Sequence, residues 1–150
     1  MRPPTLNSRV RSDPLRWVIA LGLVGALSAC APSSGAELPP DIAAGRDVYG
    51  RMCSACHGGN GQGATAPGLT SVLETFPSCD DQIRWIGLGS AQWQEEVGPT
   101  YGAPGREITA VMPSFATELT ATEIAQVAAF ERVRFGEGDE QEVLGDCLGR

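Results

Sequence analysis

The sequence predicts an all-α fold, short helices joined by long loops. Three observations carry this. A helix capped by Asp41 would run through Ile42, Val48 and Met52, and a second, after Thr120, carries its apolar residues on one stripe. A third, shorter run from Ser78 to Gly89 opens on a capping serine and stops at a glycine. Between these runs the chain is loop-rich: 19 Gly and 11 Pro stand among 150 residues, and no βαβ pattern is visible.

The N-terminus reads as an address. Residues 1–16 carry Arg2, Arg9, Arg11 and Arg16 against one acid, Asp13, and an uncharged apolar run follows from Trp17 to Leu27. A basic segment before a short apolar core has the shape of a secretory signal. The run is about half of the ~20 residues that a membrane-crossing helix needs. It ends in Leu27-Ser28-Ala29-Cys30, which resembles a bacterial lipobox. That resemblance implies a signal peptide over 1–29, cleavage before Cys30, and acylation of Cys30. The alternative is ordinary cleavage that leaves Cys30 as an odd thiol. Two or more acyl chains would hold the protein firmly to a membrane, whereas one would be marginal. Export also sets a compartment in which disulfides persist. Residues 30–40, rich in Pro, Ser and Gly, are expected to form a flexible tether.

The charge balance excludes some partners. The formal net charge is −7, and every basic residue is Arg. Past residue 29 the chain keeps 7 Arg against 17 acids, a net of −10. An acidic chain without a basic patch is a poor ligand for nucleic acid. The single histidine, His57, excludes a multi-His metal site.

The first core helix leads into Cys53-Ser54-Ala55-Cys56-His57, a C-x-x-C-H motif. Two thiols at this spacing match the two vinyl groups of a porphyrin, and the adjacent imidazole then lies under the iron. Other chemistry uses parts of this pattern. A thioredoxin-like C-x-x-C pair would need a βαβ context. A structural zinc site would draw on Cys53, Cys56, His57 and Cys79, but adjacent Cys56 and His57 are awkward in one tetrahedron. The glycines of Gly58-Gly-Asn-Gly-Gln-Gly63 form a flexible loop. As a phosphate cradle they lack both a preceding strand and a lysine.

Across residues 41–135 the chain resembles a class I, mono-haem cytochrome c. The resemblance implies a small fold of three to five helices around one covalently bound haem c. Cys53 and Cys56 would hold the cofactor and His57 would be the proximal iron ligand. The Pro67 carbonyl would accept the His57 Nδ1 proton, and Leu69 would pack on the haem. Gly45 and Tyr49, four apart on one face, would pack against the last helix. Met112, in Val111-Met-Pro-Ser-Phe115, would be the distal ligand. Elimination points the same way, since Met1 is cleaved and Met52 is attached to the proximal segment. The alternative is that Met112 only fills an apolar gap.

The remaining elements follow in order. In the Ser78–Gly89 helix, Ile83 and Ile86 are expected to be buried, and Trp85 is expected to pack in the core or against a haem propionate. Ala91 to Gly105 is expected to be loop, with Tyr101 and Arg106 as further propionate candidates. In the last helix, Thr120-Ala-Thr-Glu123 reads as a capping box, with Leu119 and Ile124 as its hydrophobic staple. Ile124, Val127, Ala128 and Phe130 form its apolar stripe, with Glu123, Gln126 and Glu131 beside it, and Gly136 stops it. The acidic tail, residues 136–150, holds Cys147. With Cys30, Cys53 and Cys56 assigned, Cys79 and Cys147 are an even remainder, expected to pair and pin the tail to the domain.

A haem sealed by His57 and Met112 would pass electrons rather than bind substrate. The expected function is a membrane-anchored electron carrier facing the periplasm or cell exterior, not an enzyme. It would take electrons from a quinol-oxidising complex or dehydrogenase and give them to a terminal oxidase or reductase. A fixed subunit of one oxidoreductase complex is the second reading, and a haem-based ligand sensor the third.

Overall fold

The computed structural model describes residues 37–150. The expected signal peptide, Cys30 and the tether up to residue 36 lie outside the described residues. Six helices form among the described residues. They are α1 (Pro40–Met52), α2 (Ser54–His57), α3 (Val72–Thr75), α4 (Cys79–Glu96), α5 (Ala121–Arg134) and α6 (Glu140–Leu148). Of these, α2 and α3 are single turns. A two-residue antiparallel pair, β1 (Thr100–Tyr101) and β2 (Arg106–Glu107), sets Thr100 opposite Glu107. The all-α expectation therefore holds, and none of the described helices is long and apolar enough to cross a membrane.

Helix α1 begins earlier than its sequence signal suggests. Pro39 is the N-cap and Pro40 opens the helix, a position where the missing N–H costs nothing. Asp41 does not cap. Its carboxylate accepts from Gln126 Nε2 at 2.9 Å and from the Arg150 guanidinium. The buried face of α1 is Ile42, Gly45, Val48 and Tyr49. It crosses α5 with backbones nearly touching: a Cβ on Gly45 would overlap the Gln126 carbonyl oxygen. The Tyr49 ring sits 5.5 Å from Phe130 and 4.9 Å from Phe135. Burying each large side chain in this contact, such as Ile42, contributes roughly 1.5–3 kcal/mol.

Helix α4 opens on Ser78, whose hydroxyl accepts from the Asp80 N–H at 3.2 Å. Gly89 stops the first helical run as expected, with φ 64 and ψ −179. The chain then resumes helix from Ser90 to Glu96, so the expected loop from Ala91 is corrected. The physical reason is Trp93. Its buried ring meets Trp85 edge-on at 5.3 Å, and its Nε1 donates to the Thr100 carbonyl at 2.9 Å. The rest of the expected loop is pulled in by Tyr101, which stacks on Trp85 at 4.5 Å. Ile86 is buried and Ile83 is half-buried.

Helix α5 has its capping box in place, Thr120 Oγ1 accepting from the Glu123 N–H and Glu123 accepting from the Thr120 N–H. Leu119 and Ile124 flank it, both buried. The helix is covered on more sides than its stripe suggests. Ala125, Ala129, Glu131 and Arg132 are buried as well, because α1, α4 and α6 all pack on it. Glu131, expected beside the stripe, is only 5 % exposed. Arg132 Nη1 donates to the Phe76 carbonyl at 2.7 Å, while its Nη2 reaches the Pro77 carbonyl and Asp146.

The tail is helical. Asp139 caps α6 by accepting from the Gln141 and Glu142 N–H groups, both at 3.0 Å. Val143 and Cys147 are buried, and a disulfide joins Cys147 to Cys79 at the start of α4. The tail packs with the helices in one unit, Leu38–Arg150.

Candidate functional site

One cleft of about 1090 Å³, counting its open mouth, gathers residues from distant parts of the chain. Cys53, Cys56 and His57 enter it from the α1–α2 junction, Leu69 from the glycine loop, Trp85 from α4, and Met112 from the loop before α5.

The C-x-x-C-H motif is built as one helical turn. The Cys53 N–H donates to the Tyr49 carbonyl, and the His57 N–H to the Cys53 carbonyl, both at 3.0 Å. Gly58, at φ 81, turns the chain away, and the Tyr49 hydroxyl donates to its carbonyl at 2.5 Å. The glycine loop then folds back over the turn. The Gly63 N–H donates to the His57 carbonyl at 2.8 Å, and the Ala66 N–H to the Cys56 carbonyl at 3.0 Å. This return brings the Pro67 carbonyl 2.9 Å from His57 Nδ1. A carbonyl can only accept, so Nδ1 carries the proton and Nε2 keeps the free lone pair of the neutral ring.

Cys53 and Cys56 are free thiols, the first buried and the second exposed. Burial pushes the Cys53 thiol up to about 12, and the charges of Glu131 and Cys56 add to the shift. The thioredoxin-like alternative fails on context: the described residues form helices and one two-residue antiparallel pair, with no βαβ unit to carry such a motif. Burial also pushes the Tyr49 phenol up to about 12. The zinc alternative fails for another reason. Cys79 is bonded to Cys147, so the four-ligand set is broken. Cys79, Asp146 and Cys147 lie close together, but with both sulfurs in a disulfide they offer no thiolate to a metal.

Met112 is held by the break in α4. The Met112 N–H donates to Ser90 Oγ at 3.1 Å, and the Ser90 N–H donates to the Met112 carbonyl at 2.8 Å. Ser114 Oγ donates to the Gly87 carbonyl at 2.6 Å. Gly89 makes this approach possible, since a Cβ there would meet the Met112 carbonyl oxygen at 2.6 Å and the Ser114 nitrogen at 2.5 Å. The Met112 loop is thus fastened by backbone and hydroxyl groups, with its side chain left to line the cleft.

Trp85 and Tyr101 line the cleft as a stacked pair, so Trp85 is both core and wall. Arg106 also lines it, its Nη2 donating to Ser71 Oγ at 3.2 Å. Two lining residues carry no signal in the sequence that marks them for the site. Gln82 and Glu131 are buried and bonded to each other, Gln82 Nε2 donating to Glu131 at 2.9 Å. Burial pushes the Glu131 carboxyl up to about 8, against the lowering effect of the Gln82 bond. Ser90 is likewise unmarked. The glycines around it are visible, but nothing local says that a hydroxyl there meets Met112.

The donor set fits a covalently held haem. It offers two unpaired thiols on one turn, an imidazole with its outer nitrogen satisfied, a thioether from a second segment, and largely apolar walls. Comparison with known proteins agrees. Residues 42–130 match the family described as cytochrome c. The chain is also similar to a "Thiosulfate dehydrogenase electron acceptor" of Thiomonas intermedia (strain K12), at 32 % identity over 120 residues. That match covers 78 % of this chain and 43 % of the relative, so the chain spans less than half that protein's length. The match over 42–130 starts in α1, ends in α5 and takes in every residue lining the cleft except Glu131: the chain belongs to the cytochrome c family and carries covalently bound c-type haem.

Proposed function

We propose that this electron-transfer cytochrome is a membrane-anchored carrier whose haem is bonded through Cys53 and Cys56 and ligated axially by His57 and Met112. The observation that best supports this reading is that these four side chains line one cleft, with the His57 ring held by the Pro67 carbonyl and the Met112 backbone by Ser90. When bound, the haem takes up and gives up one electron at its iron. The chain's own residues prepare that event. His57 presents Nε2 because Pro67 fixes the proton on Nδ1, and the bond strengthens the ring as a donor. Met112 presents its thioether because Ser90 and Ser114 hold its loop. His57 and Met112 would together hold the iron from the chain, so electron transfer would need little rearrangement and a substrate would find no free position.

Anchoring rests on the lipobox-like Leu27–Cys30 and on acylation of Cys30, which would hold the domain on the outer face of a cell membrane. The donor we propose is a dehydrogenase, a class supported by the Thiomonas relative's name, and the acceptor a terminal oxidase or reductase. Without lysine, docking would use apolar surface at the cleft mouth or acidic surface against a basic partner. Exposed Val111, beside Met112, is apolar surface of that kind.

The test is spectroscopic. A c-type pyridine haemochrome should survive acid–acetone extraction, and a Met–Fe(III) charge-transfer band should vanish in Met112→Ala. Extractable haem, or ready carbon monoxide binding by the reduced wild type, would refute the ligation. Detergent-phase partitioning that Cys30→Ala abolishes would support the anchor. Co-purification with a stoichiometric partner would favour a fixed subunit over a mobile carrier.

A further inference from the structure

Glu131 is a charge that electron carriage leaves unused. It lines the cleft from α5 with its side chain sealed from solvent. Among the described residues one hydrogen bond reaches its carboxyl, and that donor, Gln82 Nε2, is neutral. The adjacent cation does not compensate it. Arg132 donates to the Phe76 and Pro77 carbonyls, to Asp146 and, at 3.4 Å, to Gln82 Oε1, so it meets Glu131 only through the neutral Gln82 amide. A buried carboxylate without a cation loses its hydration and favours the protonated form.

The other groups around it do little to change this. Tyr49, facing it from α1, is neutral because burial raises its phenol, and Cys53, in the turn after α1, would carry no charge once bonded to the haem. Helix α4 contributes only the neutral Gln82 amide, and Asp146 of α6 lies beyond Arg132. With Cys56 bonded to the haem and His57 to its iron, the other ionisable side chains that line the cleft are Arg106 and Glu107. The charge that changes with the redox state would lie in the same cleft as this carboxyl.

We propose that Glu131 is a redox-linked proton site: it binds one proton from solvent when the cytochrome accepts an electron, and releases it when the electron leaves. This rests on the reading of the cleft as the haem pocket. The balance is simple. One electron from the donor protein converts Fe(III) to Fe(II), one solvent proton forms the carboxyl O–H, and no other bond changes. Electron gain removes one positive charge from a poorly screened cleft, which weakens the attraction that favours the Glu131 anion. Proton and electron therefore bind with positive coupling, and each raises affinity for the other.

The experiment is an optical redox titration of the detergent-solubilised full chain from about pH 5 to about pH 10, repeated for Glu131→Gln. In the wild type, electron affinity should fall with pH across one window, by up to tenfold per pH unit, or 59 mV. Glu131→Gln, with its visible spectrum unchanged, should be flat across that window. Gln82→Met removes a bond that favours the anion, so it should move the window to higher pH, and it serves if Glu131→Gln does not fold. Proton uptake on reduction in weakly buffered solution should be lost in parallel. A flat wild-type titration with a normal His/Met spectrum overturns this proposal alone, as does a slope that neither substitution moves. A chain without covalent haem overturns both this and the carrier reading.

Discussion

Two alanine substitutions in α1, five residues apart, should have opposite effects. Gly45 faces α5, whereas at Gly50 an added Cβ would meet nothing within 4 Å. Both lie inside the helix, where Gly→Ala alone is worth about 1 kcal/mol of added stability. At Gly50 that gain should appear nearly whole. At Gly45 the new Cβ would overlap the Gln126 carbonyl oxygen and stand 2.6 Å from its carbon and 2.9 Å from Phe130 Cβ. Two of those atoms are backbone and cannot rotate away, so α1 and α5 must separate. That disturbs the Tyr49–Phe130 and Tyr49–Phe135 contacts at the same crossing. Overpacking of this kind costs about 3 kcal/mol at the upper end of its usual range, which leaves a net loss of about 2. The two variants should therefore differ by about 3 kcal/mol. Guanidinium unfolding followed by circular dichroism measures the difference. Gly45→Ala as stable as Gly50→Ala would refute the close crossing of α1 and α5.

Other outcomes follow from the same geometry. Replacing Cys79 and Cys147 together by Ser opens a loop of sequence separation 68, with an upper limit of about 4 kcal/mol lost in the chain-entropy model; unchanged denaturant midpoints would contradict a structural role for the bond. Gly89→Ala should displace the Met112 loop and weaken the Met–Fe(III) band while leaving covalent haem in place. Thr120→Ala should cost about 1 kcal/mol by removing the cap of α5. Glu131 has a definite pH signature in stability. Its carboxyl is raised from an ordinary 4.5 to about 8, so between these values the folded chain holds a proton that the unfolded chain releases. The stabilising contribution is whole below about pH 4.5, declines by up to about 1.4 kcal/mol per unit as pH rises, and levels off above about pH 8. Relative to Glu131→Gln, the wild type should lose stability across that interval, and parallel pH–stability curves would count against a buried carboxyl.

What can be read from the sequence is local, and what cannot depends on partners far along the chain. The capping box of α5 lies within four residues, and the C-x-x-C-H spacing within five. Gly45 and Tyr49 declare a face because a helix repeats. Cysteine counting leads to the pair Cys79–Cys147, which the structure joins. Asp41 misleads because an acid beside a helix start usually caps it, whereas here Pro39 and Pro40 start the helix and Asp41 answers Gln126 across the crossing. Gly89 ends a helical run as expected, yet helix resumes because Trp93 finds Trp85 and Thr100. Glu131 looks like a flank residue because its burial comes from several neighbouring helices. The Ser90–Met112 bonds span 22 residues, and no periodicity announces them.

The disulfide sets a problem of sorting during maturation. Under the proposed reading, Cys53 and Cys56 must stay reduced until they meet the cofactor, while Cys79 and Cys147 must be oxidised. Four cysteines allow three complete pairings. Folding itself separates the two fates. It brings Cys79 and Cys147 together in the protein interior, and Cys79 is wholly shielded from an attacking thiolate. It also keeps Cys53 buried and protonated, so that sulfur is a weak attacker. Only Cys56 remains outside as a thiol open to exchange. The fold thus keeps the bonded pair, at the junction of α4 and α6, apart from the two thiols that the cofactor needs.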